Sequence, residues 1–279
     1  MKKRFARLVP GFMRSASKKI YYFLIDLIDQ LKGRDSLIPP RSMIFIGNGD
    51  FMVIGNEFKR YFIDLANIHP NERVLDVGCG IGRMAVPLTS YLSQEGEYWG
   101  FDIVKNGIDW CRTHISSRFG NFHFQHIDVY NKCYNHKGKL HADNFQFPFE
   151  DCYFDFVFLT SVFTHMLPSD LKNYLSQISR VLKQGGRCLI TFFILNEESM
   201  NLIRACRSTL YFKYKIEDCL TVDGNNPEKA IAYNEDFVKQ VFADYNLKII
   251  YPIHYGSWCN RDTYLSYQDI VIATKINSI

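Results

Sequence analysis

The densest chemical signal in the sequence is the run Val74-Leu75-Asp76-Val77-Gly78-Cys79-Gly80-Ile81-Gly82-Arg83. An apolar stretch enters a turn with glycine at alternate positions, and the turn opens a helix-like segment. Glycine lets the backbone bend sharply and lets a ligand approach without a Cβ in the way. N–H groups exposed at a helix start favour a carboxylate or a phosphate. A dinucleotide fingerprint needs its last glycine where Arg83 stands. The spacing here is G-x-G-x-G instead, with an acid two residues ahead of the first glycine.

Two further acids have the right spacing to grip a nucleoside. Asp102 closes the strand-like Tyr98-Trp99-Gly100-Phe101, twenty residues past Gly82. A carboxylate there can accept from both hydroxyls of a ribose. Asp128 follows the apolar segment Phe122–His126, where it can accept from an adenine amino group while Val129 or Ile103 packs the ring. His165, in Ser161-Val162-Phe163-Thr164-His165-Met166, is the candidate general base. Imidazole has an unperturbed pKa of about 6.5, suited to taking a proton at neutral pH. Asp50 and His254 are substitutes for it.

The segments "VLDVGCGIGR", "GFDI", "FPFEDCYFDFVFLTSVFTHML" and "ISRVLKQGGRCLITFF" resemble class I S-adenosylmethionine-dependent methyltransferases, in family order over residues 73–193. They resemble particularly the broad group typified by small-molecule methyltransferases. The resemblance implies a seven-stranded sheet with one antiparallel strand near its edge. It also implies S-adenosylmethionine as cofactor, with Asp76, Gly78, Gly80 and Gly82 around its methionine end. After the fourth strand stands Thr160-Ser161-Val162-Phe163, not the Asn/Asp-Pro-Pro-aromatic motif of adenine-N6 enzymes. A Pro-Cys nucleophile of the cytosine-C5 type is also missing. The expected acceptor is therefore a small molecule or a glycan, methylated at oxygen or nitrogen, with no nucleic-acid partner. A protein that binds the cofactor without turnover is the alternative, and an NAD-dependent oxidoreductase is a more distant one.

Elements that could position these residues alternate along the chain. Strands are expected at Arg73–Val77, Tyr98–Ile103, Phe122–His126, Tyr153–Thr160, Arg187–Phe193, Leu247–Tyr251 and Ile270–Thr274. Helices are expected over Arg83–Leu92, along the Ile108/Cys111/Ile115 face, and from a Ser169 cap through Leu182 to a stop at Gly185-Gly186. A last helix starts from an Asn234 cap. This alternation predicts an α/β, Rossmann-like, mostly parallel sheet with helices on both faces. Four segments could line the mouth beyond the strand ends: Asn48–Phe51, Tyr130–Phe149, Glu197–Tyr233 and Tyr255–Trp258. Phe51, Tyr255 and Trp258 are candidate acceptor contacts, and Lys137-Gly138-Lys139 reads as a solvated turn.

The 279 residues, 47% of them hydrophobic, suffice for one sizeable core. Lys2, Lys3, Arg4, Arg7, Arg14, Lys18 and Lys19 all precede the first acid, Asp26, and beyond residue 19 acids outnumber bases by three. The whole-chain charge of +4 thus belongs to a basic arm on a mildly acidic body, which argues against a body built to track nucleic acid. Residues 1–44 read as that arm plus an amphipathic helix with Ile20, Leu24, Leu27 and Leu31 on one face, ended by Lys32-Gly33-Arg34. Residues 45–279 read as the methyltransferase domain, with a variable substrate cover at 197–233. The helix fits either a lid over the active-site mouth or an anionic membrane surface reached through residues 1–31. Eight cysteines without a C-x-x-C pair predict reduced thiols and no metal site in a cytoplasmic protein. The interrupted apolar stretch Ile20–Ile28, with no small-residue cleavage site after it, reads against an export signal.

Overall fold

The computed structural model describes residues 24–277 except 30, 32 and 48. Its described elements begin with helix α1 (24–29 and 31), α2 (Phe51–Asp64), β1 (Arg73–Val77), α3 (Ala85–Leu88), β2 (Glu97–Asp102), α4 (Lys105–Cys111) and β3 (Phe122–His126). The chain continues through β4 (Phe154–Leu159), α5 (Pro168–Val181), β5 (Leu182–Phe192), β6 (Ile194–Leu195) and α6 (Glu197–Arg204). It ends with β7 (Tyr214–Ile216), β8 (Cys219–Thr221), β9 (Ile231–Asn234), α7 (Glu235–Asp244), β10 (Leu247–His254) and β11 (Asp269–Lys275).

The main sheet has seven strands in the order β10-β11-β5-β4-β1-β2-β3. β1, β2, β3, β4 and β5 pair in parallel, while β11 runs antiparallel to both β5 and β10. Alternation along β1 sends Leu75 and Val77 into one buried cluster and Val74 into the other, so each face of the sheet carries its own core. A strand in that central position is covered on both sides, which is why it reads as a near-continuous apolar run. The strand order reverses between β1 and its parallel neighbour β4, and in open α/β sheets such a switch point forms a crevice above the carboxyl ends of the strands.

Several boundaries differ from the sequence expectation. The Arg83–Leu92 helix shrinks to Ala85–Leu88. Pro87 has no N–H to give the Arg83 carbonyl, and Gly55 of α2 packs against that carbonyl, where a Cβ would sit 2.5 Å away. Helix α5 is capped at Leu167, not Ser169; Asp170 in its first turn accepts from the Leu167 N–H at 3.2 Å. Pro168 is pre-set for the first helical position. Gly185-Gly186 does not end that helix: it ends at Val181, and both glycines lie within β5. Asn234 does cap α7, accepting from Asp236 N at 2.9 Å. All eight cysteines are unpaired thiols. Among the described residues no helix is long and apolar enough to cross a membrane.

A second sheet, β6-β9-β8-β7, is built from residues 194–234 beyond the end of β5. One buried carboxylate ties it to the main sheet. Asp269, at the first position of β11, accepts from Ile194 N at 2.6 Å, Gly256 N at 2.6 Å, Trp258 Nε1 at 2.7 Å and Arg261 at 3.1 Å. Asp269 and the Arg261 side chain are essentially excluded from solvent. Truncating Asp269 would strand a buried cation and several donors. We expect Asp269→Ala to lose about 3–5 kcal/mol of unfolding free energy. Urea denaturation checks this, and a loss below about 1 kcal/mol would dismiss the carboxylate as the tie.

Candidate active site

The glycine turn is held by β2 rather than left open. Gly78 N and Cys79 N both donate to the Phe101 carbonyl, at 2.9 and 3.0 Å, and Gly82 N donates to Cys79 O at 2.9 Å. Gly80 N donates to Asp102 Oδ2 at 2.7 Å. Gly78, Gly80 and Gly82 have φ of 82°, 58° and 81°, in the left-handed region that side-chain-bearing residues rarely adopt. These amides are therefore engaged within the protein. What the turn offers a ligand is a close approach to its peptide edges, not the open ring of donors expected from the sequence.

Asp102 is 9% exposed and binds the backbone with both oxygens, since Oδ1 accepts from Val104 N at 2.7 Å. Burial raises its pKa, and the bonds from Val104 and Gly80 act in the opposite direction. A carboxylate oxygen has two lone-pair directions, so each retains one for a ribose hydroxyl. Asp76 lies beneath the turn at 1% exposure. Its Oδ2 accepts from Tyr98 Oη at 2.6 Å, and its buried Oδ1 has no hydrogen-bond partner among the described residues.

Ile103, half-buried on the main core, retains a face for a ring. Val129 is 3% exposed, so it offers almost no surface to one. Its backbone is fixed by a bridge to Leu140, which turns the side chain into the core beside Phe145 and Phe147. Asp128 is half-buried at the end of the third parallel strand, and its Oδ1 accepts from Asn135 Nδ2 at 3.3 Å.

On the opposite side of the turn, Val162 reaches over Gly78, where a Cβ would meet its Cγ2 at 2.5 Å. His165 N donates to Val162 O at 2.9 Å, so the imidazole follows that contact by one tight turn. His165 Nδ1 lies 2.8 Å from the Glu228 carbonyl. A carbonyl can only accept, so Nδ1 carries the hydrogen and Nε2 the lone pair of the neutral ring. Burial lowers the His165 pKa, and the Glu228 carbonyl opposes that shift. Glu228 also accepts through Oε2 from Asn131 Nδ2 at 3.1 Å and Lys132 N at 3.2 Å. The loop after β3 and the cover thus meet at one residue, with His165 on its backbone.

Other sequence candidates have structural roles. Asp50 caps α2, with Oδ1 accepting from Met52 N and Val53 N at 2.9 Å each, so its carboxylate is not a free base. His254 lies on edge strand β10 and burial lowers its pKa. Phe51 and Trp258 are buried in separate cores, where neither can contact an acceptor. Tyr255 donates to Glu235 Oε2 at 2.8 Å. The sequence reading missed Arg83, whose guanidinium donates to the Ile46 and Gly47 carbonyls and lays Ile46 against Gly80. An arginine where a dinucleotide motif wants glycine was the available signal.

Residues 75–190 match a family described as a methyltransferase domain. A ubiquinone/menaquinone biosynthesis C-methyltransferase of Vibrio vulnificus is 28% identical over 138 residues, 49% of this chain and 46% of that one. The chain thus spans about half the length of the curated relatives it matches. The PH0226 protein of Pyrococcus horikoshii shares the fold with a TM-score of 0.57 at 18% identity, over 84% of this chain and 95% of that one. So does the [4+2]-cyclase SpnF, at a TM-score of 0.55 and 13% identity, over 84% of this chain and 85% of the cyclase.

The buried Asp76 supplies a pH test of this geometry. Burial pushes its carboxyl from 3.8 up to about 8, with the Tyr98 hydroxyl opposing and the Asp102 charge adding. A carboxyl raised on folding contributes stability that is full below its unfolded value and is lost as pH rises through its folded value. Relative to the parent, Asp76→Asn should therefore gain stability from about pH 4 to about pH 8 and level off above. The slope is at most about 1.4 kcal/mol per pH unit. Denaturation across that range decides it; a pH-independent difference would mean Asp76 is ionised throughout.

Proposed function

We propose that this chain, whose residues 75–190 match a methyltransferase domain, is an S-adenosylmethionine-dependent enzyme that methylates a small-molecule or glycan acceptor. The observation that carries this reading is the Gly80–Asp102 contact inside that domain. It brings the approachable turn and a diol-accepting carboxylate together at adjacent strand ends. The unpaired Asp76 Oδ1 and the half-buried Ile103 fit the same ligand.

S-adenosylmethionine supplies an electrophilic methyl group on a sulfonium. The chain's residues hold and align it: the Gly78–Gly82 turn with Asp76 at the methionine end, Asp102 at the ribose, and Asp128 with Ile103 at the adenine. Methyl transfer depends chiefly on aligning the nucleophile with that methyl. The acceptor atom we favour is oxygen or nitrogen; the name of the Vibrio vulnificus relative adds carbon. An oxygen acceptor must lose its proton, and His165 Nε2, with its lone pair fixed by the Nδ1–Glu228 bond, is the base we assign.

A fold that includes a [4+2]-cyclase does not by itself dictate methyl transfer, so the cofactor is the first thing to measure. Calorimetry should show binding of S-adenosylmethionine and its demethylated product. Asp102→Ala should weaken both by about 2–4 kcal/mol, the worth of lost hydrogen bonds to a charged acceptor. Binding unaltered by the substitution would remove Asp102 from the site, and a preference for NAD would overturn the reading.

Incubation with labelled methyl donor and cell extract, followed by identification of the labelled product, would name the acceptor. With it in hand, His165→Ala should keep cofactor affinity and lose about a hundredfold or more in turnover. His165→Asn, which can still donate to the Glu228 carbonyl, should lose as much. Recovery of turnover by the asparagine would make His165 an anchor of the cover rather than a base.

A further inference from the structure

Helix α1 sits on the protein the opposite way round from an ordinary surface helix. Its acidic side faces the segment that follows it, residues 34–42. Asp26 accepts from Arg41 N at 2.7 Å, Ser42 N at 3.2 Å, Ser42 Oγ at 2.8 Å and Arg34 at 3.2 Å. Asp29 accepts from Arg41 Nε at 3.1 Å, and its carbonyl takes the Arg34 N–H at 2.9 Å. Burial works against the Asp26 charge, but the donors from Arg41 and Ser42 outweigh it and hold the pKa below its ordinary value. Gly33, at a φ of 78°, ends the helix in the left-handed conformation expected of a C-terminal glycine.

The side turned to solvent is apolar. Leu24, Leu27, Ile28 and Leu31 are 52%, 46%, 49% and 81% exposed. Their spacing of three, four and seven residues is that of one helical stripe. Helices of soluble proteins bury such a stripe, and a contiguous exposed one marks a docking surface. Ile20, the first residue of the stripe in the sequence, lies outside the described residues.

Charge selects the occupant. Seven lysines and arginines precede Asp26 in the sequence with no acid among them, immediately ahead of the stripe. A run of bases beside an apolar helix face is complementary to a surface that is anionic outside and apolar just beneath. We propose that α1 docks the protein on an anionic lipid surface through its apolar stripe, with the bases that precede it in the sequence supplying the charge attraction. The ion pairs of Asp26 and Asp29 hold the apolar stripe outward for that contact. Binding adds the attraction of several cations near the headgroups to insertion of the four side chains, so neither alone sets the affinity.

The test is co-sedimentation of the full chain with phosphatidylcholine vesicles, with and without phosphatidylglycerol. At low salt the chain should bind the anionic vesicles and leave the neutral ones unbound. Replacing Leu24, Leu27, Ile28 and Leu31 together with serine should weaken that binding by roughly tenfold or more. Lys18→Glu with Lys19→Glu should weaken it comparably, and added salt should flatten the difference. The four side chains are exposed, so the serine variant should melt with the parent. Should it not, Leu31→Trp in the unchanged chain gives a second reading, through quenching by brominated lipid chains. Equal binding to both vesicles, undiminished binding by the serine variant or absence of quenching would overturn the proposal. A concentration-dependent dimer lost in the serine variant would do the same, assigning the stripe to a second copy of the chain.

Discussion

The Asp102 carboxylate is the contact on which the site depends. One oxygen receives Gly80 N from the turn after β1, and the other receives Val104 N just beyond β2. The charge is buried, which raises the carboxyl pKa and makes those two donors necessary. The acid expected to hold a ligand is therefore also a structural pin. It sets the turn's height above the sheet, and it keeps a lone pair on each oxygen pointing elsewhere. Residue type and position answer to two demands at once. A neutral side chain at 102 would loosen the turn.

The far side of the sheet solves a related problem. The antiparallel strand β11 begins at Asp269, level with the carboxyl end of β5. There the chain leaves the main sheet to build the smaller one. An abrupt exit leaves backbone donors unpaired at Ile194 and Gly256, and a buried arginine besides. Asp269 satisfies all of them. Breaking a buried pair costs more than the pair's own net worth. The cover is thus anchored rigidly at its root while its tip, at Pro227–Lys229, is held by hydrogen bonds to half-buried and exposed partners.

The parallel core was readable from the chain because β1 and β4, at its centre, are buried on both faces and read as near-continuous apolar runs. Asp76, the glycines and Asp102 were readable because a strand end, a turn and the next strand end are fixed by local spacing. What was not readable rests on contacts between elements and on side-chain hydrogen bonds that apolar periodicity does not report. Asp50 becomes a helix cap, and Trp258 disappears beneath Asp269 from a partner on another strand. The shortening of the Arg83–Leu92 helix needs Gly55 of α2, and the burial of Val129 needs Leu140. Helical periodicity identified the stripe on α1 but not which way it faces. That was decided by Arg34, Arg41 and Ser42, whose bonds to Asp26 and Asp29 have no signature in periodicity.

The two sides of the mouth share one device. Arg83 fastens residues 46 and 47 over the turn through backbone carbonyls, and His165 fastens the cover through the carbonyl of Glu228. Hydrogen bonds of this sort contribute roughly 1–3 kcal/mol each, against about 5–15 kcal/mol for a whole domain. Each is therefore small beside the burial of Cys219, Ile231 and Tyr233, from the same segment as Glu228, in the main core. The buried ties at Asp102 and Asp269 lie in the core, where partial opening would leave charges unpaired. The fastenings by Arg83 and His165 use backbone carbonyls as acceptors, so the side chains of residue 46 and residue 228 stay free for other contacts. Ile46 uses its own against Gly80, and Glu228 uses its own to join the loop after β3 to the cover.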